Sequence, residues 1–188
     1  MHLARRAWCR TYQTVFRIAL PILPYTEPRI LEHAEDVPAV LQKRSIQKVL
    51  IVTDPGIARL GLTASLERAL TAQGIGVTVY AETRANPTVS NVEEAASLYR
   101  ESACQAIIGF GGGSAMDCAK GVGARIAQPN KPINKMRGLL RVHRLLPLLI
   151  AVPTTAGTGS EVTLAAVITD DETHYKYPIN DFVLIPRF

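Results

Sequence analysis

The chain has 188 residues, of which 47% are hydrophobic and 20% are charged, and its formal net charge is +5. This balance is typical of a globular domain with its own hydrophobic core and excludes a disordered or collagen-like chain. The 3 cysteines are odd in number and lack a CxxC spacing, which excludes a complete disulfide framework and a zinc-finger motif and favours a reducing compartment. No apolar run approaches the roughly 18 residues of a membrane-spanning helix, so we expect no membrane partner.

Residues 1–24 are interpreted as a basic N-terminal extension, because they carry several arginines and no acidic residue. A mitochondrial presequence can have this composition. However, the prolines in ALPILPY are expected to break any amphipathic helix, and no small-residue cleavage site for a secretory signal follows. We therefore expect a cytoplasmic protein and keep a mitochondrial location as the alternative.

Residues 25–188 alternate apolar runs of strand length with segments of helical periodicity. The predicted strands are KVLIVTD (48–54), GVTVYAE (76–82), QAIIGF (105–110) and LPLLIAVP (146–153). The predicted helices lie in the segments 35–45, 63–74, 86–102 and 114–127, and the third segment begins as a turn at residues 86–87 before its helix. The first of these helices has Asp36 as its N-cap, and the third has Ser90 or Asn91. This alternation predicts a Rossmann-like α/β domain, with a parallel sheet and helices on both faces.

The C-terminal part of the chain shows a different pattern. Residues 164–179 predict a β-hairpin that turns at residues 171–173, and residues 182–186 predict the beginning of one more strand. The aspartates at 170, 171 and 181 are interpreted as turn-forming residues.

A glycine-rich loop follows the third predicted strand, in GFGGGSAMDCAKG (109–121). Its central residues Gly111, Gly112 and Gly113 allow a ligand to approach the backbone closely, and the helix that follows favours an anion at its N-terminus. We expect Ser114 to be the N-cap of this helix and Asp117 to complete a capping box. The loop is therefore predicted to bind phosphate; a tight turn that binds nothing is the alternative. Its spacing is a near miss of GxGxxG, which belongs after a first strand with an acid about 20 residues downstream.

Other polar residues follow the ends of the remaining predicted strands. Asp54 ends the first strand, where its carboxylate could accept hydrogen bonds from ribose hydroxyls, and Asn86 follows the second. A segment called here the threonine loop, PTTAGTGSEVT (153–163), follows the fourth. Its hydroxyl-bearing candidates are Thr154, Thr155, Thr158, Ser160 and Thr163. Because ligands of doubly wound sheets bind at the carboxyl ends of the strands, we expect these residues to converge with the glycine loop.

A basic segment lies between Asp117 and Glu161, where the chain has 7 basic residues and no acidic one. We interpret it as a solvated loop; attraction of a phosphorylated ligand is the alternative. Nucleic acid is excluded as a partner, because no aromatic residues interleave these charges.

Three stretches together resemble the iron-containing (group III) alcohol dehydrogenases: GGGSAMDCAKG, AVPTTAGTGSEVT and VITDDETHYKY. The resemblance runs from about Tyr25 to the end of the chain. It implies that residues 25–188 form an NAD(P)-binding domain, in which the glycine loop holds the pyrophosphate and the threonine loop contacts the nucleotide. It also implies that an acid at Asp54 favours NAD over NADP, and that Lys176 lies near the cofactor ribose.

The same resemblance implies a longer protein. Family members continue into an all-helical domain that supplies one aspartate and three histidines as metal ligands, and this sequence stops before them. We therefore expect NAD as the cofactor of these residues, and Fe²⁺ or another divalent metal only in the full-length architecture. No catalytic or metal-ligating residue is assigned here, since the histidines His2, His33, His143 and His174 are scattered along the chain.

The expected function is hydride transfer between an alcohol or aldehyde and NAD, by a protein that is a homo-oligomer at full length. A glycerol or polyol dehydrogenase, a dehydroquinate-synthase-like relative and a non-catalytic dinucleotide-binding fragment are the alternatives.

Overall fold

The computed structural model describes residues 2–19 and 25–188. These residues contain two β-sheets and six α-helices. The helices are α1 (His2–Ala19), α2 (Val37–Gln42), α3 (Pro55–Arg59), α4 (Ala64–Ala72), α5 (Val89–Glu101) and α6 (Gly113–Ala127). The strands are β1 (Lys48–Val52), β2 (Gly76–Tyr80), β3 (Ala106–Gly111), β4 (Gly138–Leu139), β5 (Leu148–Pro153), β6 (Ala165–Thr169) and β7 (Lys176–Asn180). Short 3₁₀ turns span Ala34–Asp36, Ile133–Met136 and Phe182–Leu184.

The larger sheet is parallel and has the strand order β2-β1-β3-β5. Successive side chains of a strand face opposite sides of the sheet. Val49 and Ile51 accordingly lie in a core cluster with α2 and α4, whereas Leu50 and Val52 lie in a second cluster with α5 and α6. Both faces of the sheet are thus covered by helices, and the predicted α/β architecture is confirmed.

The smaller sheet has the strand order β4-β7-β6. Its strands β6 and β7 form the predicted antiparallel hairpin, in which the Asp170 carboxylate accepts hydrogen bonds from the backbone N–H groups of Glu172 and Thr173. Ala166 and Ile168 of β6 share a core cluster with Cys118 and Val122 of α6. This sheet therefore packs against the helix that follows the glycine loop.

The strand predicted at residues 182–186 is wrong, because Phe182–Leu184 forms a 3₁₀ turn. The buried Asp181 carboxylate caps this turn by accepting a hydrogen bond from Val183 N, and it also accepts one from Val142 N at 3.0 Å. Phe182 and Leu184 are buried. A short apolar run is compatible with either a strand or a buried turn. Here the cap formed by Asp181 favours the turn.

The predicted cap of α5 is also wrong. Thr88, not Ser90 or Asn91, is the N-cap residue, since its backbone is extended and its side chain accepts a hydrogen bond from Asn91 N. The Asn91 side chain in turn accepts one from Thr88 N, which completes a capping box.

The N-terminal extension forms the 18-residue helix α1, in which Arg6, Trp8, Arg10 and Arg17 are exposed. The prolines that were expected to break a helix lie at residues 21 and 24, outside the described residues. None of the described helices is long and apolar enough to cross a membrane.

Helix α6 packs closely against α5 and β6 at Gly121. A Cβ atom at this position would lie 2.8 Å from Val92 Cγ2 and 3.3 Å from Ile168 Cδ1. Gly121 therefore lets α6 approach both α5 and the smaller sheet.

We expect Gly121→Val to destabilise the fold by about 1–3 kcal/mol, because its side chain would overpack this contact. Valine and glycine differ little in helix propensity, so packing dominates the effect. Urea denaturation would measure it, with Val92→Ala and the double variant completing a mutant cycle. The double variant should lose less than the sum of the single losses. Strictly additive losses would contradict the proposed contact.

Candidate nucleotide-binding site

The strand order places a topological switch point between β1 and β3. The chain passes from β1 to β2 on one side and then returns to β3 on the other side of β1. Crevices at such switch points, outside the carboxyl ends of the strands, are where open α/β sheets bind ligands. A cleft of about 820 Å³ lies here. Residues that follow all four strands of the larger sheet line it: Asp54–Ile57, Arg59, Glu82–Ala85, Gly112–Ala115, Thr154 and Thr155.

The glycine loop forms one wall of the cleft. Gly111 has a φ of +144°, and Gly112 is the N-cap residue of α6. A Cβ atom on Gly112 would lie 3.2 Å from Thr155 Oγ1, and one on Gly113 would lie 3.2 Å from Ser160 Oγ. Because Gly112 has no side chain to cap the helix, the first N–H groups of α6 remain suited to an external anion.

Ser114 and Asp117 do not have the capping roles that were predicted for them. Helix α6 begins at Gly113, so Ser114 lies within its first turn, and its Oγ accepts a hydrogen bond from Asn86 N at 3.2 Å. Asp117 is consequently too far along the helix for a capping box. Its carboxylate instead accepts a hydrogen bond from Val167 N at 3.0 Å, and burial raises its pKa. Serine is a common N-cap residue, but the N-cap position of α6 is occupied by Gly112, directly before the helix.

Asp54 is the N-cap residue of α3. Its Oδ1 accepts hydrogen bonds from Gly56 N at 2.8 Å and from Ile57 N at 3.0 Å. Its Oδ2 faces the glycine loop, 3.4 Å from where a Cβ atom on Gly111 would lie. Oδ1 therefore caps α3, whereas Oδ2 lies at the edge of the cleft between β1 and β3.

The threonine loop covers the first turn of α6. At its start, Thr154 N donates a hydrogen bond to Gly111 O at 2.9 Å. Thr154 and Thr155 line the cleft, whereas Thr158 and Ser160 lie against Gly113. Thr163, at the end of the loop, contacts α6 two turns further along the helix, through Lys120. The threonine loop therefore lies beside the glycine loop, as the strand-end rule predicted.

Lys120 was interpreted at the sequence level as part of a solvated basic segment, and for this residue that interpretation is wrong. It is fully buried, and its Nζ donates hydrogen bonds to Thr163 O at 2.7 Å, Ala165 O at 2.8 Å and Thr163 Oγ1 at 3.2 Å. Burial lowers its pKa to about 8, although the nearby Asp117 and Glu161 carboxylates act in the opposite direction.

The rest of the basic segment is mostly at the surface. Arg125 forms an ion pair with Glu93, with Nε and Oε1 2.6 Å apart. Exposed members are Lys135, Arg137, Arg141 and Arg144.

Several predicted site residues lie outside the cleft lining, namely Asn86, Gly111, Asp117, Thr158, Ser160, Thr163 and Lys176. Asn86 has a φ of +61° and touches the glycine loop through its backbone N–H. Lys176 is exposed at the start of β7, paired with Thr169 of β6. Conversely, the cleft lining includes residues that were not predicted, namely Arg59 on the short helix α3 and Glu82–Ala85 after β2. The Asp-Pro step at residues 54–55 was an available signal for α3, since aspartate suits an N-cap and proline the first helical position.

The described residues do not fit the iron centre that the resemblance implies for the full-length protein. Within residues 2–19 and 25–188, no group of three or more His, Cys, Asp or Glu side chains is placed to hold a metal ion. His33 precedes the 3₁₀ turn at Ala34–Asp36, and His143 and His174 adopt positive φ angles in loops. No step of a reaction is therefore assigned to a metal held by these residues.

Comparison with known proteins agrees with this architecture. Residues 30–188 match the family model described as iron-containing alcohol dehydrogenase. The chain is 38% identical over 134 residues to a choline dehydrogenase of Bacillus subtilis, covering 70% of this chain and 33% of that protein. It spans about a third of the length of such curated relatives.

Solved structures show the same partial coverage. An alcohol dehydrogenase from Oenococcus oeni superposes with a TM-score of 0.80 at 34% identity, over 87% of this chain and 44% of that one. A sulfoacetaldehyde reductase from Bifidobacterium kashiwanohense in complex with NAD⁺ superposes with a TM-score of 0.73 at 28% identity, again over 87% and 44%. The family match, which covers most of the chain, and these folds lead to one conclusion. The chain belongs to the iron-containing alcohol dehydrogenase family.

Proposed function

We propose that residues 25–188 form the NAD-binding part of an NAD-dependent alcohol dehydrogenase, which transfers hydride between an alcohol or aldehyde and the cofactor. The observation that carries this proposal is the glycine-lined start of α6, which faces Asp54 across the switch point of the sheet. The solved sulfoacetaldehyde reductase bound to NAD⁺, which shares this fold, supports the same cofactor class. When bound, NAD⁺ would supply the hydride acceptor.

In this proposal the glycine loop binds the pyrophosphate. Gly112 and Gly113 let the first N–H groups of α6 approach the phosphate oxygens, and the helix dipole favours their negative charge. Thr154 and Thr155 line the cleft beside the glycine loop and offer further hydroxyl groups. Gly111, Asn86, Asp117, Thr158, Ser160 and Thr163 act by holding these walls together.

The adenine ribose is assigned to Asp54. Its Oδ2 is the oxygen that the α3 cap leaves for a ligand hydroxyl. A 2′-phosphate at the same place would meet a like charge, which favours NAD over NADP. Lys176 is kept as a candidate contact of the cofactor ribose, because of the motif that contains it.

We expect Gly113→Val to weaken NAD⁺ binding by about a hundredfold or more, equivalent to about 3 kcal/mol. The added side chain would displace Ser160 and Thr158 or occupy the phosphate cradle. Calorimetric titration would measure the affinity, and circular dichroism should stay close to that of the unmodified chain. Ala127→Val, at the far end of the same helix, is the matched control. If Gly113→Val folds and binds NAD⁺ normally, the glycines serve only the turn and the proposed site is wrong.

For cofactor choice, we expect the unmodified chain to bind NAD⁺ more tightly than NADP⁺. Asp54→Asn should narrow the ratio of the two affinities by about tenfold, since it removes the charge and keeps an oxygen that can cap α3. Glu82→Gln, on the rim of the same cleft, is the control and should leave the ratio largely unchanged. Equal affinities of the unmodified chain for the two cofactors would contradict the role of Asp54.

A further inference from the structure

We propose that Lys120 is a positioning residue that anchors the end of the threonine loop to α6 and thereby holds the loop over the phosphate cradle. The proposal rests on the NAD-binding function above. It concerns a side chain that does not line the cleft and that has no place in the cofactor contacts assigned so far.

The buried ammonium group of Lys120 has three hydrogen-bond acceptors. An ammonium group has three hydrogens, and a fully buried one is costly unless each finds an acceptor. All three acceptors of Lys120 Nζ belong to residues 163–165, which end the threonine loop and begin β6. An apolar side chain of similar length would fill the volume without this cost, but it could not bind two backbone carbonyls of that segment. The ammonium therefore ties the loop end to the helix.

A line of contacts along one face of α6 connects the phosphate cradle with the loop anchor. Gly113, Asp117 and Lys120 have the i, i+4, i+7 spacing of one helix face. Along this face, Gly113 lies against Ser160 and Thr158, Asp117 binds Val167 N, and Lys120 binds Thr163 and Ala165. The same helix thus provides the phosphate cradle at its first turn and the loop anchor two turns later.

Burial and two nearby carboxylates act on the charge of the Lys120 ammonium. The groups that face the ammonium electrostatically are Asp117 on α6 and Glu161 in the threonine loop, and both favour its charged form. Burial outweighs them, so the pKa is lowered from the ordinary 10.5 to about 8. A neutral amine has only two hydrogens for the three acceptors, and we expect the anchor to weaken as the pH rises through about 8.

The pH dependence of stability and that of NAD⁺ affinity are expected to have opposite signs, which distinguishes a positioning role of Lys120 from a purely stabilising one. Between about pH 8 and 10.5 the unfolded chain binds more protons at this lysine than the folded chain does. The contribution of Lys120 to the free energy of unfolding therefore rises with pH in this window and is lost as the pH falls through about 8. If Lys120 positions the loop, NAD⁺ affinity should change in the opposite direction and fall over the same range.

Lys120→Met and Lys120→Arg test the proposal. We expect the methionine variant to bind NAD⁺ about tenfold more weakly near pH 7, the effect of losing one charged hydrogen-bonding group. The unmodified chain should lose a similar factor between about pH 7 and about pH 9.5, whereas the arginine variant, whose charge persists, should show no such loss. Lys131→Met is the matched control, because Lys131 Nζ donates to Arg141 O in the basic segment. It should keep both the affinity and the pH profile of the unmodified chain.

Hydrogen exchange of the unliganded chain provides a readout that does not need the cofactor. In Lys120→Met, amides of residues 154–165 should exchange about tenfold faster at fixed pH, while those of β1 should not change. Unchanged exchange in this segment would overturn the proposal, as would an alkaline loss of affinity that persists in Lys120→Arg. If the loop exchanges faster but the unmodified chain binds no NAD⁺, the anchor is supported and the proposed function fails. If Lys120→Met does not fold, the pH profiles of the arginine variant and the unmodified chain decide the matter.

Discussion

The parallel pairing of β1 with β3 is the constraint on which the candidate site depends. The register aligns Val52 with Gly109, so that Asp54 and the glycine loop leave the sheet at the same edge. The pairing of β3 with β5 aligns Gly111 with Pro153 and brings the threonine loop to that edge as well. Slipping any of these strands by one residue would turn its buried side chains to the opposite face. The two cores that cover the sheet therefore also fix the relative positions of the cleft walls.

Much of the architecture could be predicted from local patterns. The run VLIV of β1 is apolar because the strand is covered on both faces, and mainly apolar runs marked all four strands of the larger sheet. The hairpin was also predictable, because Asp170 binds backbone groups only two and three residues away. The edges of the cleft formed by Asp54, the glycine loop and the start of the threonine loop followed from one rule about strand ends.

What the sequence could not predict depended on single backbone angles or on distant partners. The choice of Thr88 over Ser90 as a cap is set by which residue has an extended backbone. Helix α3 has only five residues, too few to show a period. Lys120 lies in a run of basic residues, and its acceptors are 43 to 45 positions away along the chain. No local pattern distinguishes such a lysine from a solvated one, because its burial results from the packing of β6 against α6.

The attachment of the threonine loop has a consequence for the entropy of ligand binding. Near its start, Thr154 N donates a hydrogen bond to Gly111 O, and directly after its end, Leu164 O accepts one from Asp181 N. A segment fixed at both ends has already lost most of its conformational freedom before a ligand arrives. Ordering a free loop of this length would cost a ligand part of its binding free energy, and here that cost is met during folding. Because Leu164 and Asp181 flank β6 and β7, the smaller sheet would contribute to affinity for the proposed cofactor by preorganising the loop.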